Sequence, residues 1–385
     1  IYKHVLKPVF FKFDPEYVHD KITNFGVRLG NYKISQSITN GLFGYENDIL
    51  KQNILGMDFK NPIGLSAGFD KNAQLIDILP SVGFGFAEAG SITGSPCEGN
   101  PKPRLWRLKE SRGLLVYYGL KNDGCEIIAG RLDKRLEERF HKLSDDLQIK
   151  SKNEDSKIEN KDFTIPIGMS TAMTNCKENI VIENALKDFA KSFRVMEPFG
   201  SYMTLNISCP NTGGGQPFLI PNNLHTLLSV IDKIPTIKPI FVKLSPDLSI
   251  QEIDALLDVI FSHRIHGIIC TNLTKKRDNL KIIDKNIPVV GGMSGKIVQD
   301  LSDKTMTHIY KKINGRLIII GSGGVFSAED AYKKIRLGAN LVQMITGMIF
   351  EGPQVISEIN QGLVRLLKRD GFKNVSQAIG VDCPL

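Results

Sequence analysis

The sequence lacks an apolar run as long as the ~18 to 20 residues that a membrane-spanning helix needs, so we expect no such helix. It also lacks a Cys-x-x-Cys pair, and its six cysteines are irregularly spaced, which argues against a zinc site, an iron–sulfur cluster or a disulfide framework. Its 49 Lys and Arg exceed its 41 Asp and Glu but do not cluster with aromatics, so nucleic acid is not an expected partner. We predict a protein without a metal site, in a reducing compartment.

The 385 residues suffice for one large domain or two average ones. From about residue 61, short apolar runs alternate with longer amphipathic segments, which is typical of a parallel sheet whose strands are buried on both faces. The predicted strands are 62–66, 85–89, 165–170, 202–207, 239–244, 267–271, 316–320 and 341–345. The predicted helices include 180–197, 249–263, 298–313, 327–337 and 353–369. Eight such units favour an α/β fold, a (β/α)8 TIM barrel, over the alternative of an open doubly wound sheet.

Two segments lie outside this repeat. Residues 144–162 are nearly all polar, so they bury too little apolar surface to offset their ordering entropy, and we predict a mobile surface insertion. Residues 1–34 are predicted to form an amphipathic helical pair ahead of a barrel domain at 35–385, with Asp14 as N-cap and Pro15 in the first turn.

The helical pair has two interpretations. Its apolar positions fall in two stripes: Val5, Leu6, Val9, Phe10 and Phe13, then Val18, Ile22, Phe25 and Leu29. The pair either packs on the barrel floor or forms a hydrophobic antechamber that dips into a membrane surface, as flanking lysines would suit.

Chemistry in such a barrel takes place where the strands end. The seventh predicted strand runs into Gly321-Ser322-Gly323-Gly324 and the eighth into Thr346-Gly347. Glycine lets backbone N–H groups approach a phosphate closely, so these two loops predict a phosphate-bearing ligand, against the alternative of simple turns.

Polar side chains end several other strands. Lys243 ends an apolar strand and, unless it extends to the rim, needs an anion or an electron-rich partner. Lys71 is a second cation at the same rim, and Asn206, Asn211 and Asn272 follow the fourth and sixth strands. Grouped carboxamides offer paired donors and acceptors, which suit a flat heterocycle with alternating carbonyl and imino groups.

Cys209 lies between two of these asparagines, and three roles are open for it. A free cysteine is usually a small buried hydrophobe. It is otherwise a nucleophile or a proton acceptor. No histidine is near in sequence to activate it, which favours the proton acceptor over the nucleophile.

Six ordered motifs resemble those of the dihydroorotate dehydrogenase family. They are 61–72, 99–108, Asn-Ile-Ser-Cys-Pro-Asn-Thr at 206–212, Val-Lys-Leu-Ser-Pro-Asp-Leu at 242–248, 291–296 and 321–325. The segments 13–19 and 371–380 resemble the quinone-dependent, membrane-associated class 2 branch. The resemblance covers nearly the whole chain apart from the polar insertion.

This resemblance implies a flavoprotein that uses FMN to oxidise (S)-dihydroorotate to orotate in pyrimidine biosynthesis. The electrons would pass to ubiquinone or menaquinone at the bacterial cytoplasmic membrane or the mitochondrial inner membrane. It implies that Cys209 takes a proton from the substrate while hydride leaves for the flavin, and that His19 and Arg107 lie beside the quinone passage. The implied flavin residues are Ser66, Ala67, Gly68, Lys71, Gly90, Ser91, Ser170, Asn206, Lys243, Thr271, Ser294, Gly295, Gly323, Gly324, Ile345 and Thr346. The implied substrate residues are Lys71, Val116, Tyr117, Tyr118, Gly119, Leu120, Asn206, Asn211, Asn272 and Leu273.

Several of these positions depart from the family pattern. Class 2 enzymes have serine where this chain has Cys209; cysteine there resembles class 1, as does Gly119-Leu120. The other departures are Val116 for a pocket asparagine, Leu273 for threonine, Ser170 for a flavin-contacting asparagine and Ile345 for a tyrosine near the quinone. They leave open a related FMN enzyme for another dihydropyrimidine or for a soluble acceptor such as fumarate. A non-catalytic barrel that binds a membrane surface or a partner is a further alternative.

Overall fold

The computed structural model describes residues 2–147 and 164–383. Eight parallel strands form a closed barrel in which each strand pairs with the next in the chain and the last pairs with the first. The barrel strands are Ile63–Leu65, Phe86–Ile92, Ile167–Thr171, Tyr202–Asn206, Ile240–Leu244, Gly267–Cys270, Ile318–Ser322 and Leu341–Met344. Each overlaps one predicted strand, so the predicted TIM barrel is confirmed and the open sheet is wrong.

Helices cover the outside of the barrel after the second to eighth strands. They are Cys125–Leu147, Ile182–Met196, Pro221–Asp232, Ile250–Phe261, Gln299–Ile313, Ala328–Arg336 and Val355–Arg369, with a short helix at Thr346–Glu351. The first strand is followed only by a helical turn at Leu79–Val82. Apolar faces drive this packing, and Ser249 begins one helix with a capping box to Glu252.

The predicted surface insertion is wrong at its first four residues. Positions 144–147 continue the helix Cys125–Leu147. Adding residues to an existing helix costs far less than nucleating one, so a polar stretch can extend its last turn. The rest of the predicted insertion, 148–162, lies outside the described residues.

The floor of the barrel, at the N-terminal ends of the strands, is closed by an antiparallel hairpin of Gln52–Ile54 and Met57–Phe59. Phe59 packs edge-on against Phe86, with 5.6 Å between ring centroids. A Cβ at Gly64 would lie 2.4 Å from the Phe86 ring. The ring therefore occupies the space that the side chain of any larger residue at position 64 would need. Aromatic residues therefore seal the floor and leave the C-terminal ends of the strands for a site.

The N-terminal segment begins beside the C-terminal mouth of the barrel, and its last helix packs against the turn Leu79–Val82 that precedes the second strand. Its helical pieces are Tyr2–Leu6, Lys7–Phe10, Pro15–Gly30 and Lys33–Phe43. Asp14 caps the third piece by accepting a hydrogen bond from the Tyr17 backbone N–H at 2.8 Å, as predicted. His19 Nε2 lies 2.9 Å from the Phe69 carbonyl oxygen, which follows the first barrel strand.

The interpretation that these helices pack on the barrel floor is therefore wrong, because the hairpin already occupies that position. The last of them, Lys33–Phe43, spans the predicted domain boundary between residues 34 and 35. Among the helices of residues 2–147 and 164–383, none has both the length and the apolar content that a bilayer crossing requires.

Candidate active site

A cavity of about 200 Å³ opens at the C-terminal ends of the barrel strands. The strand ends form its base, and residues of the antiparallel sheet Leu105–Leu108, Gly113–Val116 and Gly292–Met293 form one side. His19 reaches it from the N-terminal helices. The cavity therefore brings together residues that are far apart in sequence.

Most residues that the resemblance assigns to the flavin line this cavity. They are Ser66, Ala67, Gly68, Lys71, Gly90, Ser91, Asn206, Lys243, Thr271, Ser294, Gly295, Gly323, Gly324, Ile345 and Thr346. Ser170 is not among the lining residues. It is fully buried, with its Oγ 2.9 Å from the Ser91 Oγ, so it supports a lining residue from behind.

Glycines make one wall of the cavity pure backbone. Gly295 and Gly324 have φ angles of +77° and +78°, which side chains rarely adopt. A Cβ at Gly295 would lie 2.3 Å from the Arg112 carbonyl oxygen. Hydroxyls stand beside this wall, with 2.8 Å between Ser294 Oγ and Thr346 Oγ1. Backbone and hydroxyl donors at such a wall suit a phosphate.

Lys243 is the buried cation of the site. Its side chain points into the barrel, with the residue 5% exposed, and Nζ donates a hydrogen bond of 3.1 Å to Ser66 Oγ. Burial lowers the pKa of this amine, while Glu88 and then Cys209 act in the opposite direction. The alternative that Lys243 extends to the rim is wrong.

Carboxamides form a linked row beside this lysine. Asn206 Nδ2 donates to Ser91 Oγ at 2.7 Å, and Asn272 Nδ2 donates to Asn206 Oδ1 at 3.1 Å. Asn211 Nδ2 donates to the Val116 carbonyl oxygen at 2.9 Å, and its buried Oδ1 has no partner within the described residues. The row thus presents fixed amides and one free acceptor.

Cys209 is half-buried and lines the cavity between these amides. Burial raises the pKa of its thiol to about 11, and the smaller opposing effects come from the Asn211 N–H, Lys275 and Lys243. A thiol at neutral pH is a poor nucleophile, because the thiolate is the reactive form. Its place on the cavity wall distinguishes it from a cysteine of the aliphatic core.

A second cation occupies the side of the cavity nearest the N-terminal helices. Lys71 Nζ lies 4.2 Å from the centroid of the Tyr118 ring and 3.4 Å from His19 Nε2. Burial lowers the pKa of Lys71 to about 8, and burial followed by Lys71 lowers that of His19. The buried Tyr118 hydroxyl has no partner within the described residues.

The residues predicted for the substrate and the quinone separate into two groups. Those that line the cavity are Lys71, Val116, Tyr118, Gly119, Leu120, Asn206, Asn211, Asn272, Leu273 and His19. Tyr117 and Arg107 are not among its lining residues. Tyr117 follows Val116, and successive residues of an extended chain point to opposite sides. Arg107 donates to the Phe13 carbonyl oxygen at 2.7 Å, and its guanidinium carbon lies 4.7 Å from the Phe11 ring centroid.

Sequence reasoning missed two polar residues inside the barrel. Gln343 lines the cavity, and Glu88 is fully buried between the cavity and the aromatic floor. The available signal was the one that identified Lys243, namely a lone polar residue at an inward position of an apolar strand.

Comparison with known proteins places these features in a family. The sequence profile described as dihydroorotate dehydrogenase matches residues 49–367. A protein of Trichodesmium erythraeum (strain IMS101) named dihydroorotate dehydrogenase (quinone) is 34% identical over 397 residues, covering 99% of this chain and 98% of that protein. One of the same name from Crocosphaera subtropica (strain ATCC 51142 / BH68) is 37% identical over 348 residues, covering 88% of this chain and 85% of that protein.

Solved structures agree with the sequence comparisons. The crystal structure of DHODH from Eimeria tenella in complex with ferulenol is similar with a TM-score of 0.81 and 29% sequence identity, covering 96% of each chain. The ligand-free structure from the same organism has a TM-score of 0.80 at 29% identity, covering 97% of this chain and 100% of that chain. The barrel, the cavity at its mouth and these matches together show that the chain belongs to the dihydroorotate dehydrogenase family.

Proposed function

We propose that this chain uses FMN to oxidise dihydroorotate to orotate and passes the electrons to a quinone. The relatives named dihydroorotate dehydrogenase (quinone) support the reaction and the acceptor. The observation that carries the proposal is the single cavity that combines a glycine wall, a buried ammonium at Lys243, a row of amides and Cys209.

The cavity fits FMN by the chemistry of its walls. The backbone wall at Gly295 and Gly324, with the hydroxyls of Ser294 and Thr346, suits the phosphate of FMN. Lys243 lies at the base of the cavity, where its ammonium suits a ring that gains electrons. When bound, FMN supplies the two-electron chemistry, accepting hydride from the substrate and releasing electrons to a second acceptor.

The amide row is our proposed binding site for the pyrimidine. Asn206 and Asn272 are already oriented by their mutual hydrogen bond, so little side-chain freedom is lost on binding. Asn211 Oδ1, which has no partner among the residues that the structure describes, is placed to accept from a ring N–H. Lys71 offers a positive charge to the substrate carboxylate.

Cys209 is our proposed base. The oxidation removes a proton from one carbon of dihydroorotate and a hydride from its neighbour, so the chain must supply a proton acceptor. Cys209 is the titratable residue among these amides, and its thiolate would accept the proton and become a thiol. Because burial raises the pKa of the thiol to about 11, the proposed reaction should accelerate as the pH rises.

We assign the quinone to the side of the cavity nearest the N-terminal helices. His19 lines that side, and the apolar side chains of Leu105, Leu114 and Ile349 line it too. Arg107 lies against Phe11, outside the cavity wall, so its proposed role is confined to the entrance.

We further propose that the N-terminal helices contact the membrane that holds the quinone, so that the protein is peripheral to a bacterial cytoplasmic or mitochondrial inner membrane. Large apolar side chains are exposed on all of these helices, and they include Val5, Val9, Phe25, Ile34, Ile38 and Leu42. Exposed apolar patches of this kind are rare on proteins that contact only water. The exposed Lys12 and Lys21 would favour anionic lipid headgroups, whereas Lys3 is already paired with Glu351.

An acceptor panel tests this proposal. Purified protein should contain FMN, and dihydroorotate should support steady turnover with a ubiquinone or menaquinone analogue but not with fumarate or NAD. Turnover with fumarate in place of quinone would contradict the proposed acceptor. A protein that takes up no FMN would contradict the flavoenzyme and support the non-catalytic barrel.

A second candidate is an FMN enzyme for another dihydropyrimidine. It is favoured by Val116 and Leu273, apolar residues that line the cavity close to the amide row. Neither side chain can replace a polar contact to the substrate, and each such lost hydrogen bond is worth about 1 kcal/mol. A panel of dihydropyrimidines, ranked by kcat/KM, separates this candidate from the first.

A further inference from the structure

Between the aromatic floor and the cavity, the barrel interior contains buried polar side chains that the proposed reaction does not use. Phe86, Glu88 and Gly90 lie at alternate positions of the second barrel strand, so their side chains share its inner face. Phe86 belongs to the aromatic floor and Gly90 lines the cavity. Glu88 lies between them, and its exposed fraction is 0%.

Only one of the two carboxylate oxygens of Glu88 has a hydrogen-bond partner among the described residues. Glu88 Oε1 accepts from the Thr204 hydroxyl, whereas Oε2 has no partner within the described residues. Tyr202 and Gln343 are also fully buried polar residues of the barrel interior. A buried carboxylate without full hydrogen bonding is costly, so its charge needs an opposite charge nearby.

Lys243 carries that opposite charge. Its ammonium is buried, and the hydrogen bond to Ser66 Oγ is to a neutral partner. The charged and titratable groups that act on it are Glu88 and Cys209, and Glu88 has the larger effect. Glu88 also acts on Tyr202, whose pKa is raised by burial and then by this carboxylate. Glu88 is hydrogen-bonded to Thr204, and Lys243 lies in register with Asn206, two residues farther along the same strand, so the two side chains occupy neighbouring positions inside the barrel. Opposite charges in such an interior attract each other even where they form no direct ion pair.

We propose that Glu88 is a positioning residue whose ionised carboxylate keeps Lys243 charged at the base of the flavin cavity. The role toward FMN rests on the proposed function, whereas the electrostatic influence of Glu88 on Lys243 does not. Because the carboxylate is fully buried and accepts a hydrogen bond from the Thr204 hydroxyl, it is a fixed counter-charge. The ammonium it maintains is then available to stabilise negative charge that arrives with the electrons.

The first experiment measures the midpoint potential of bound FMN between pH 6 and pH 9.5 in the holoenzyme. In Glu88→Gln the ammonium loses its counter-charge and deprotonates at lower pH. The potential should therefore fall more steeply with pH than in the wild type. Tyr202→Phe is the matched control, since it removes a neutral group at the same level, and its curve should parallel the wild type. A Glu88→Gln curve that also runs parallel to the wild type at every pH would overturn the proposal.

The second experiment needs no flavin and so separates failure of this proposal from failure of the proposed function. The infrared spectrum of the Lys243→Met apoprotein, compared with that of the wild-type apoprotein, should show a new protonated-carboxyl band. The reason is that Glu88 takes up a proton once the ammonium is gone. The band should vanish in Lys243→Met/Glu88→Gln. Absence of that band, or its presence in the wild type and loss in Glu88→Gln, would overturn the proposal. A wild-type protein that binds no FMN would contradict only the proposed function.

Discussion

Replacement of Cys209 by alanine tests the proposed proton transfer. Burial raises the pKa of the thiol to about 11, so at pH 7 only ~10⁻⁴ of the free enzyme holds the thiolate. Since the thiolate is the base, the rate of flavin reduction by dihydroorotate should rise about tenfold per pH unit below that pKa. Alanine removes the base, and general-base catalysis is worth roughly 10² to 10⁴-fold, so the rate should fall by that factor.

The assay is anaerobic stopped-flow mixing of holoenzyme with dihydroorotate between pH 6 and pH 10, followed at the flavin absorbance. Cys209→Ser should be slower than the wild type across this range, because a hydroxyl is a weaker acid than a thiol and less of the base form is present. Cys176→Ala, which changes an exposed cysteine, is the control and should match the wild type. Reduction of Cys209→Ala at the wild-type rate across this range would refute the assignment.

Three further predictions concern binding, stability and the membrane. Dihydroorotate binding should weaken as the pH rises through about 8, because the Lys71 ammonium loses its charge there. In flavin-monitored titrations Lys71→Met should bind dihydroorotate weakly at every pH, and an unchanged pH dependence of binding in that variant would contradict the role of Lys71. The side chains of Glu16 and Arg104, 5% and 6% exposed, form a buried ion pair, so Glu16→Ala should lower the free energy of unfolding in urea by about 3 to 5 kcal/mol; an unchanged midpoint would contradict that estimate. Leu42→Glu should reduce cosedimentation with anionic vesicles, whereas Ile237→Glu, at a fully exposed site before the fifth barrel strand, should not; equal effects would argue against a membrane face on the helices.

The barrel was predictable because its strands are buried on both faces. A continuous apolar run such as Ile240–Leu244 has few alternatives to a central strand, and its one cation, Lys243, is conspicuous for that reason. The position of the N-terminal helices was not predictable in the same way. Their apolar stripes show that a face is buried or membrane-bound, but only long-range contacts such as that of His19 with Phe69 determine where they lie.

Site residues were predictable where strand ends and motifs coincide, and less so elsewhere. Ser170 contacts Ser91 and Tyr117 follows Val116 in sequence, and both of these neighbours line the cavity. Ser170 and Tyr117 themselves do not line it. One step in sequence reverses the direction of a side chain, and no composition rule fixes that step. Glu88 shows the opposite case. The sequence gives no reason for a single carboxylate inside an apolar strand, and only the fold reveals its hydrogen bond to Thr204 and its influence on Lys243.

The flavin spectrum during one anaerobic addition of dihydroorotate tests the central claim most directly. If the cavity holds FMN with its ring accessible to a pyrimidine bound at the amide row, the yellow colour should bleach on mixing and return when a quinone analogue is added. A spectrum that stays oxidised with saturating dihydroorotate would contradict the account.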